Sequence, residues 1–297
     1  MPDGARVNKL AGEPIGVLFP DLGEPFRKIF IDIISGIEVH ARQRVQAYPV
    51  SPNQNLQELA GVLKRNGTRV AVALGRQGMK AAAALDASIE VVVGGVSSVP
   101  DGEKHYGVCL TPDPALLFAQ LKLLLPATRR VVVVYNPQHN DWLVRLAREA
   151  ARVHGLELLA HEARDLASAA RLYQAAFAAA QGKQDALWLP IDATTVDEAV
   201  IMPLVLRQSW DHGVPVFSSS FVHVNKGALF SLYPNNAELG RTLAGLAGEL
   251  LDGSAPPRGI SPLRNVLAAL NARTASHFGI RVDARLQRAF HYVYPPA

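Results

Sequence analysis

The chain has 297 residues, 49% of them hydrophobic and 19% charged, a composition that excludes a disordered, charge-dominated protein. The 30 Lys and Arg against 26 Asp and Glu leave a formal net charge of only +4, and no basic run is longer than a pair, so a nucleic-acid-binding surface is a poor interpretation. The single cysteine, Cys109, excludes a disulfide framework and a multi-cysteine zinc site. At about 150 residues per domain the length predicts about two domains, and no apolar run reaches the ~18 residues of a membrane-spanning helix.

Short β-branched segments alternate with longer amphipathic segments from the start of the chain. In its first part, strands are predicted at residues 15–19, 48–50, 70–74 and 91–93. Helices are predicted at residues 26–43, at residues 56–66 and, after a turn at residues 75–78, as far as residue 87. The helix at residues 56–66 carries one apolar face and ends at an Asn-Gly pair.

The same alternation continues in the second part of the chain. Strands are predicted at residues 131–135, 156–160, 186–189, 214–217 and 228–233, with a shorter segment at residues 260–266. Helices are predicted from residues 111–114 to residue 125, at 142–154, at 166–180, from Thr195 onward, and from Asn236 to Gly253. Thr195 and Glu198 have the spacing of a capping box, and Pro203 predicts a break or restart in the helix that follows.

Strands that alternate with helices predict parallel βαβ sheets. Two such series predict an α/β protein with two doubly wound parallel-sheet lobes, and residues 105–111 are the predicted first crossing between them. In such sheets ligands bind beyond the carboxyl ends of the strands. That rule selects the loops at residues 20–25, 51–54, 75–78, 94–98, 136–141, 190–195 and 218–221. They offer mainly hydroxyl, amide and backbone N–H groups, a set that suits a small polar or zwitterionic ligand.

Two loop residues each have two interpretations. The turn that contains Arg76 opens a helix, so it either receives a ligand carboxylate or is a tight turn with a solvated arginine. Asp192 follows a buried strand, and it either pairs with a ligand ammonium group or caps the helix start at residues 194–196. The three tryptophans, Trp142, Trp188 and Trp210, are assigned to core packing.

Motifs for catalysis, metal binding and cofactor binding are missing from the sequence. The nine histidines never show the His-x-x-x-His spacing of a helical metal pair. The serines at residues 97–98 and 218–220 lack the Gly-x-Ser-x-Gly elbow of hydrolases, and neither a Walker loop nor Gly-x-Gly-x-x-Gly is present. We therefore predict no metal, no cofactor and no enzymatic activity. An enzyme that uses Asp192 or a histidine as acid or base is the minor alternative.

Several segments together resemble one family. They are residues 130–137 (RVVVVYNP), 186–193 (ALWLPIDA), 213–218 (GVPVFS), 226–251 and 271–280. Over residues 14–280 their order and spacing resemble the type I periplasmic-binding family of ABC transporter substrate-binding proteins, in the branch associated with tryptophan and tyrosine uptake. The resemblance implies two α/β lobes joined by three crossings and composed of residues 13–107 with 234–253 and residues 108–233 with 254–297.

The resemblance also implies a function. Family members hold a small ligand in the cleft between the lobes, close on it by hinge motion and present it to a membrane permease. We therefore predict a monomeric substrate-binding component of an ABC transporter that takes an amino acid or a related small carboxylate, with no nucleic-acid partner. The alternative is a sensor of the same fold that reports ligand occupancy to a signalling partner.

The predicted location is the periplasm or the outer face of the inner membrane. Residues 1–12 are polar and lack the apolar core and the cleavage site of a secretory signal. Two interpretations therefore stay open at this point: a cytosolic protein, or an exported protein whose signal is absent from this sequence. The lone cysteine is compatible with both.

Residues of the ligand cleft follow from the same resemblance. They are Asp21, Leu22 and Gly23 after the first strand, Gly75, Arg76 and Gln77 after the third, Ser97 after the fourth, Asn136 in the Tyr-Asn-Pro turn, Asp192 in the acidic turn, and Ser218 and Ser219. The resemblance implies that Asp192 faces a ligand amino group, while Arg76 and nearby helix N-termini face a carboxylate. Arg76 stands where the family has a small hydroxyl residue, which counts against an aromatic amino acid as the ligand.

Overall fold

A computed structural model describes residues 13–24, 26–97 and 104–296 of the chain. Residues 1–12, in which no secretory signal is predicted, lie outside the described residues. The protein divides into two compact units, called here the first and the second unit. The first unit comprises residues up to Leu110 together with Asn235–Asn265, and the second comprises Thr111–Pro234 together with the residues from Val266 onward.

Strands and helices alternate along the described residues, as the sequence predicts. The chain first forms β1 (Ile15–Pro20), α1 (Phe26–His40), β2 (Val45–Val50), α2 (Leu56–Arg65), β3 (Val70–Leu74), α3 (Gly75–Ala82), β4 (Glu90–Gly94) and β5 (Tyr106–Pro112). It continues with α4 (Pro114–Leu124), β6 (Arg130–Tyr135), α5 (Pro137–Val153), β7 (Glu157–Glu162), α6 (Leu166–Ala178), β8 (Asp185–Leu189), α7 (Ile201–His212), β9 (Val216–Ser218), α8 (Val222–Lys226) and β10 (Phe230–Pro234). It ends with α9 (Asn236–Leu251), β11 (Gly259–Leu263), β12 (Val266–Asn271), α10 (Ala272–His277), α11 (Ala284–Arg288) and β13 (Tyr292–Tyr294).

Each unit is built on one sheet. The strand order is β11-β5-β4-β3-β1-β2 in the first unit and β13-β12-β10-β9-β8-β6-β7 in the second. Strands β1 to β5 pair in parallel, as do β6 to β10, so the predicted pair of doubly wound parallel sheets is confirmed. Every residue of β3 is buried, as expected of a central strand covered on both faces. None of the described helices is long and apolar enough to span a membrane.

The C-terminal part of the first unit corrects one prediction. Residues 254–265 were assigned to the second lobe, but the structure places them in the first unit. The reason is that β11 joins the edge of the first sheet beside β5, where the Gly259 N–H donates to the His105 carbonyl at 2.7 Å. The predicted first crossing at residues 105–111 is strand β5, and the unit boundary falls between Leu110 and Thr111.

Two predicted helix starts are also wrong. The segment 136–141 was predicted as a loop, but α5 begins at Pro137, because the Asn136 side chain caps it by accepting a hydrogen bond from the Gln138 N–H at 3.0 Å. The helix predicted from Thr195 begins only at Ile201, so Pro203 falls in its first turn, where proline is tolerated.

The tryptophans divide between core and surface. Trp188 is fully buried and meets Phe118 edge to face at 5.9 Å in the core of the second unit. Trp210 is 53% exposed and stacks on the His277 ring at 3.5 Å, so its assignment to core packing is wrong. Amphipathic periodicity places Trp210 on a helix but does not show which side of that helix the sheet covers.

Helix α9 returns to the first unit and packs directly on α1. Gly36 of α1 lies against the backbone carbonyl of Ala237, and Gly240 of α9 lies against the backbone carbonyl of Ile33. A Cβ atom at either glycine would overlap that carbonyl, so the helices can approach this closely only where the side chain is absent. Leu243 on the same helix is fully buried.

An ion pair joins β6 to β8 within the second sheet. Arg130 and Asp185 are partners in the parallel register, and the guanidinium Nε and Nη2 donate to the two carboxylate oxygens at 2.6 Å each. The Gln181 N–H donates to the same carboxylate at 2.7 Å. Burial raises the pKa of the Asp185 carboxyl, but the hydrogen bonds from Arg130 and Gln181 outweigh burial, and the pKa lies below its ordinary value.

The contact between α1 and α9 predicts opposite effects for two glycines of one helix. Gly240→Ala forces a Cβ into the Ile33 carbonyl, and we expect it to lower the free energy of unfolding by about 1–3 kcal/mol. A Cβ at Gly248 would have no atom within 4 Å, so we expect Gly248→Ala to raise the free energy of unfolding by up to about 1 kcal/mol, because alanine has the higher helix propensity. Thermal unfolding followed by far-ultraviolet circular dichroism compares them, and equal effects would contradict the packing described.

The Arg130–Asp185 pair predicts a pH-dependent stability. Because folding lowers the pKa of Asp185, the pair stabilises the protein at neutral pH, and this contribution is lost as the pH falls through the pKa of the folded state. We expect Asp185→Asn to lower the free energy of unfolding by about 3 kcal/mol at neutral pH. The difference from wild type should shrink below the unfolded-state pKa of about 3.9.

Urea unfolding followed by tryptophan fluorescence measures this effect, because all three tryptophans lie in the second unit. The matched control is Glu149→Gln, which removes an exposed ion pair with Arg152 and should change the free energy of unfolding by less than about 0.5 kcal/mol. A difference between Asp185→Asn and wild type that stays the same down to about pH 3 would show that the pair does not titrate as described.

Candidate functional site

A doubly wound sheet has a point at which the strand order reverses, and ligands bind outside the carboxyl ends of the strands there. The reversal lies between β1 and β3 in the first unit and between β6 and β8 in the second. The first cavity, of about 270 Å³, is lined by Pro20, Leu22, Phe30, Gly75, Arg76, Gln77, Gly95, Val96 and Ser97. The second cavity, of about 340 Å³, is lined by Pro190, Ile191, Asp192, Ala193, Val196, Asp197, Glu198, Ser220 and His223. Each cavity therefore belongs to one unit and lies beyond the carboxyl ends of its strands.

Glycines shape the wall of the first cavity. Gly75 and Gly95 have positive φ angles of 64° and 67°, which L side chains rarely adopt. The ring of Phe30 lies against both, since a Cβ on either glycine would come within 3.2 Å of a ring carbon. Gly78 packs against the backbone carbonyl of Leu18, which holds α3 close to β1. Side chains at these positions would push the helix away from the sheet and change the shape of the cavity.

The start of α3 gives the first cavity its positive end. The helix begins at Gly75 directly after β3, and the N-cap residue Leu74 offers no side-chain hydrogen bond to its first N–H groups. Such N–H groups carry the positive end of the helix dipole. Arg76 is exposed and lines the cavity beside them. This arrangement suits a carboxylate or another small anion.

The residues predicted in the first unit fall into two groups. Five line the first cavity: Leu22, Gly75, Arg76, Gln77 and Ser97. Asp21 and Gly23 lie outside that lining. The Asp21 carboxylate accepts a hydrogen bond from the Ser51 hydroxyl at 3.2 Å and so connects the loops after β1 and β2, while Gly23 is exposed near the start of α1.

Asp192 is held by the protein itself. One carboxylate oxygen accepts from the Asn136 N–H at 2.7 Å and from the Asn140 amide at 3.0 Å. The other accepts from the N–H groups of Thr194 at 2.9 Å and Thr195 at 3.3 Å. A carboxylate has about four acceptor positions, so these four donors occupy its capacity. The side chain lines the second cavity but is only 6% exposed, and its bonds fasten the end of β8 to the start of α5.

The other predicted residues of the second unit are buried outside the cavity lining. Asn136 is part of the Asp192 network just described. The Ser218 hydroxyl lies 2.7 Å from Nδ1 of His223, and the Ser219 hydroxyl accepts a hydrogen bond from Trp188 Nε1 at 3.0 Å. These serines therefore hold neighbouring side chains in place.

Four polar residues of the second cavity are not among the predicted site residues: Asp197, Glu198, Ser220 and His223. Lys226 pairs with Glu198 at 2.7 Å and lowers the pKa of that carboxyl. Burial lowers the pKa of the His223 imidazole. The lining contains three carboxylates, of which Lys226 balances one, so the charge around the cavity is negative on balance and suits a cationic group. Within the described ranges, no three or more His, Cys, Asp or Glu side chains form a group that could hold a metal ion.

Comparisons with known proteins agree with this architecture. A family model described as ABC transporter substrate binding protein matches residues 116–292, more than half of the chain. A comparison with curated proteins gives no significant match.

Three solved structures are similar over nearly the whole chain, each at 18% sequence identity. One is the ABC domain in complex with L-Trp from Streptococcus pneumonia, with a TM-score of 0.57, covering 95% of this chain and 100% of that one. A conserved domain protein from Vibrio cholerae has the same TM-score and coverage. The ligand-free, open structure of a substrate binding protein with adhesive properties from Clostridium difficile has a TM-score of 0.67 and covers 95% and 99% of the two chains. These likenesses show the fold that the sequence predicts.

The bonds of Asp192 predict a large structural effect. We expect Asp192→Ala to lower the free energy of unfolding by about 2–4 kcal/mol, because it leaves buried N–H donors without an acceptor. Asp141→Ala, which removes an exposed carboxylate from α5, should change it by less than about 0.5 kcal/mol. Urea unfolding followed by tryptophan fluorescence makes the comparison. Equal stability of the two variants would show that the bonds of Asp192 do not hold the loop.

Proposed function

The chain belongs to the family of ABC transporter substrate-binding proteins and has the type I periplasmic-binding-protein fold, and from this premise we propose that it reversibly binds an amino acid or a related small carboxylate. The ligand engages residues of both units, and hinge motion closes the protein on it. The observation that carries the proposal is the presence of one cavity beyond the carboxyl ends of the strands in each unit, with opposite electrostatic character.

The first cavity receives the carboxylate in this proposal. The uncapped N–H groups at the start of α3 and the Arg76 guanidinium supply positive charge, and Gln77 and Ser97 line the same cavity. Gly75 and Gly95 leave room for the ligand to approach the backbone. Asp21 and Gly23 contribute by shaping the neighbouring loop.

The second cavity receives the other end of the ligand. Its acidic lining suits an ammonium group, whereas a second carboxylate would meet like charges. In this proposal Asp192 and Asn136 hold the loop that forms the wall, and Ser218 and Ser219 hold the side chains behind it. The ligand therefore meets a shape that is largely formed before it binds.

The proposed role is delivery without chemical conversion. The protein acts as a monomer in the periplasm or at the outer face of the inner membrane, and its protein partner is the permease of the transporter. Arg76 counts against aromatic amino acids, but they stay among the candidate ligands to be tested because one of the similar structures holds L-Trp. Arg76 in the first cavity favours ligands whose carboxylate is accessible.

A thermal-shift screen with the twenty proteinogenic L-amino acids and a set of small carboxylates tests the function. A true ligand at a hundredfold excess over its Kd should stabilise the protein by about 2.7 kcal/mol. The proposal is contradicted if no compound shifts the transition. Consumption of the ligand would instead indicate an enzyme, and binding without any effect of gene deletion on uptake would indicate a sensor.

Arg76 provides the matched mutational test. We expect Arg76→Ala to weaken binding of the strongest ligand about tenfold, because a charge-assisted contact to the carboxylate is lost. Lys80→Ala removes an exposed cation one turn further along α3, outside the cavity lining, and should leave the affinity unchanged. Isothermal titration calorimetry measures both variants. Equal affinities of Arg76→Ala and Lys80→Ala for the ligand would show that the ligand carboxylate does not bind in the first cavity.

A further inference from the structure

His223 is a buried side chain with one polar atom that none of the described residues binds. It lies on α8, is 5% exposed and lines the second cavity. The Ser218 hydroxyl is 2.7 Å from its Nδ1. No hydrogen bond from the described part of the chain reaches its Nε2. With Nδ1 anchored behind the cavity wall, Nε2 is the ring nitrogen available to a bound molecule.

Ser218 fixes the orientation of the imidazole. This serine is fully buried at the end of β9, where it donates to the Leu189 carbonyl at 3.3 Å and accepts from the Ser220 N–H at 2.9 Å. The tautomer of His223 decides which atom donates in its contact with Ser218. When the Ser218 proton is donated to the Leu189 carbonyl, the hydroxyl accepts from Nδ1–H and Nε2 keeps its lone pair. In this tautomer, which the inference uses, His223 presents a hydrogen-bond acceptor in a fixed direction.

The charges around His223 are mainly negative. Glu198, from the segment before α7, lines the cavity and pairs with Lys226 of α8, and Asp197 and Asp192 line the same cavity. Asp192 already accepts four protein hydrogen bonds. A fixed acceptor among carboxylates is the complement of a cationic group that carries N–H donors.

We propose that His223 determines the specificity of the second cavity, where its Nε2 accepts a hydrogen bond from an ammonium or guanidinium group of the ligand while Asp197 and Glu198 balance the charge. This inference rests on the proposed function and deepens it. It selects, among amino acids and small carboxylates, those ligands that also carry a cationic nitrogen. Asp192, which the resemblance implies as the partner of the amino group, positions the loop instead.

The inference predicts weaker binding in acid. Protonation of His223 removes the acceptor and places a like charge beside the ligand cation. Burial lowers the pKa of the imidazole from its ordinary value of 6.5. The negative charge of Glu198 raises this pKa and the positive charge of Lys226 lowers it, and burial is the largest of the three effects. Affinity should therefore be constant above the lowered pKa and fall below it, by at most about tenfold per pH unit.

The closing experiment uses the full chain and the L-amino acid that gives the largest thermal shift. Its deamino analogue keeps the carboxylate and lacks the ammonium group, and we expect this analogue to bind wild type at least about tenfold more weakly. His223→Leu, which removes the acceptor, should lose about tenfold or more in affinity for the amino acid.

Two further variants separate the acceptor role of His223 from its titration and from the general effect of changing a histidine. His223→Gln keeps an acceptor oxygen but cannot titrate, so it should bind within about threefold of wild type at neutral pH and show no weakening in acid. His212→Gln changes an exposed histidine of α7 outside the cavity lining, and its affinity and pH profile should equal those of wild type.

The outcomes separate this inference from the proposed function. If the amino acid binds, but its deamino analogue binds as tightly or His223→Leu keeps the wild-type affinity, the inference is overturned and the proposed function stands. If no L-amino acid and no small carboxylate binds, both are overturned. Should circular dichroism show that His223→Leu does not fold, His223→Gln decides, and a wild-type pH profile in that variant overturns the inference.

Discussion

The backbone contact between α1 and α9 is the constraint on which the first unit depends. Gly36 and Gly240 let the two helices approach until each glycine meets a carbonyl of the other helix. Helix α9 follows Thr111–Pro234 in the chain, and those residues belong to the second unit. The first sheet is therefore fully covered only after the chain has returned to the first unit and formed α9. The interleaved architecture is therefore a consequence of helix packing, because α9 also lies on β3 and β4.

Each unit has the same strand order around its reversal and a cavity beyond the carboxyl ends of its strands. The first cavity is bordered by the segments after β1, β3 and β4, and the second by the segments after β8 and β9. The two cavities are built differently. Backbone dominates the first, where two glycines with positive φ and an uncapped helix start leave N–H groups for an anion. Side chains dominate the second, where Asp192 accepts four hydrogen bonds from the protein, while no residue in the described part of the chain bonds Nε2 of His223. A buried carboxylate saturated in this way stabilises a loop, whereas a buried imidazole with an unused nitrogen is suited to recognise a ligand.

Much of the fold follows from local patterns in the sequence. The strands Val70–Leu74 and Arg130–Tyr135 are rich in valine and mostly apolar, so their burial and their parallel pairing could be predicted. The predicted starts of α5 and α7 are wrong because more than one local sequence rule applies at each of these positions. Asn136 and Pro137 are a helix cap and a first helical residue, whereas the sequence predicts a loop over residues 136–141. At residues 195–198 the spacing of a capping box was present, yet the helix began at Ile201. Gly259–Leu263 carries no signal for which sheet it joins, because pairing with β5 is a long-range event.

By itself the sequence determined the order of strands and helices, the parallel α/β class, the loops at the strand ends and, through resemblance, the family. Periodicity and turn chemistry act over a few residues, so such features are written locally. Only the tertiary structure decided that the Asp192 oxygens bind neighbouring loops, that Trp210 lies at the surface and that His223 lines a cavity. Each of these depends on which groups from distant segments come within hydrogen-bonding or packing distance, and local sequence does not encode that distance.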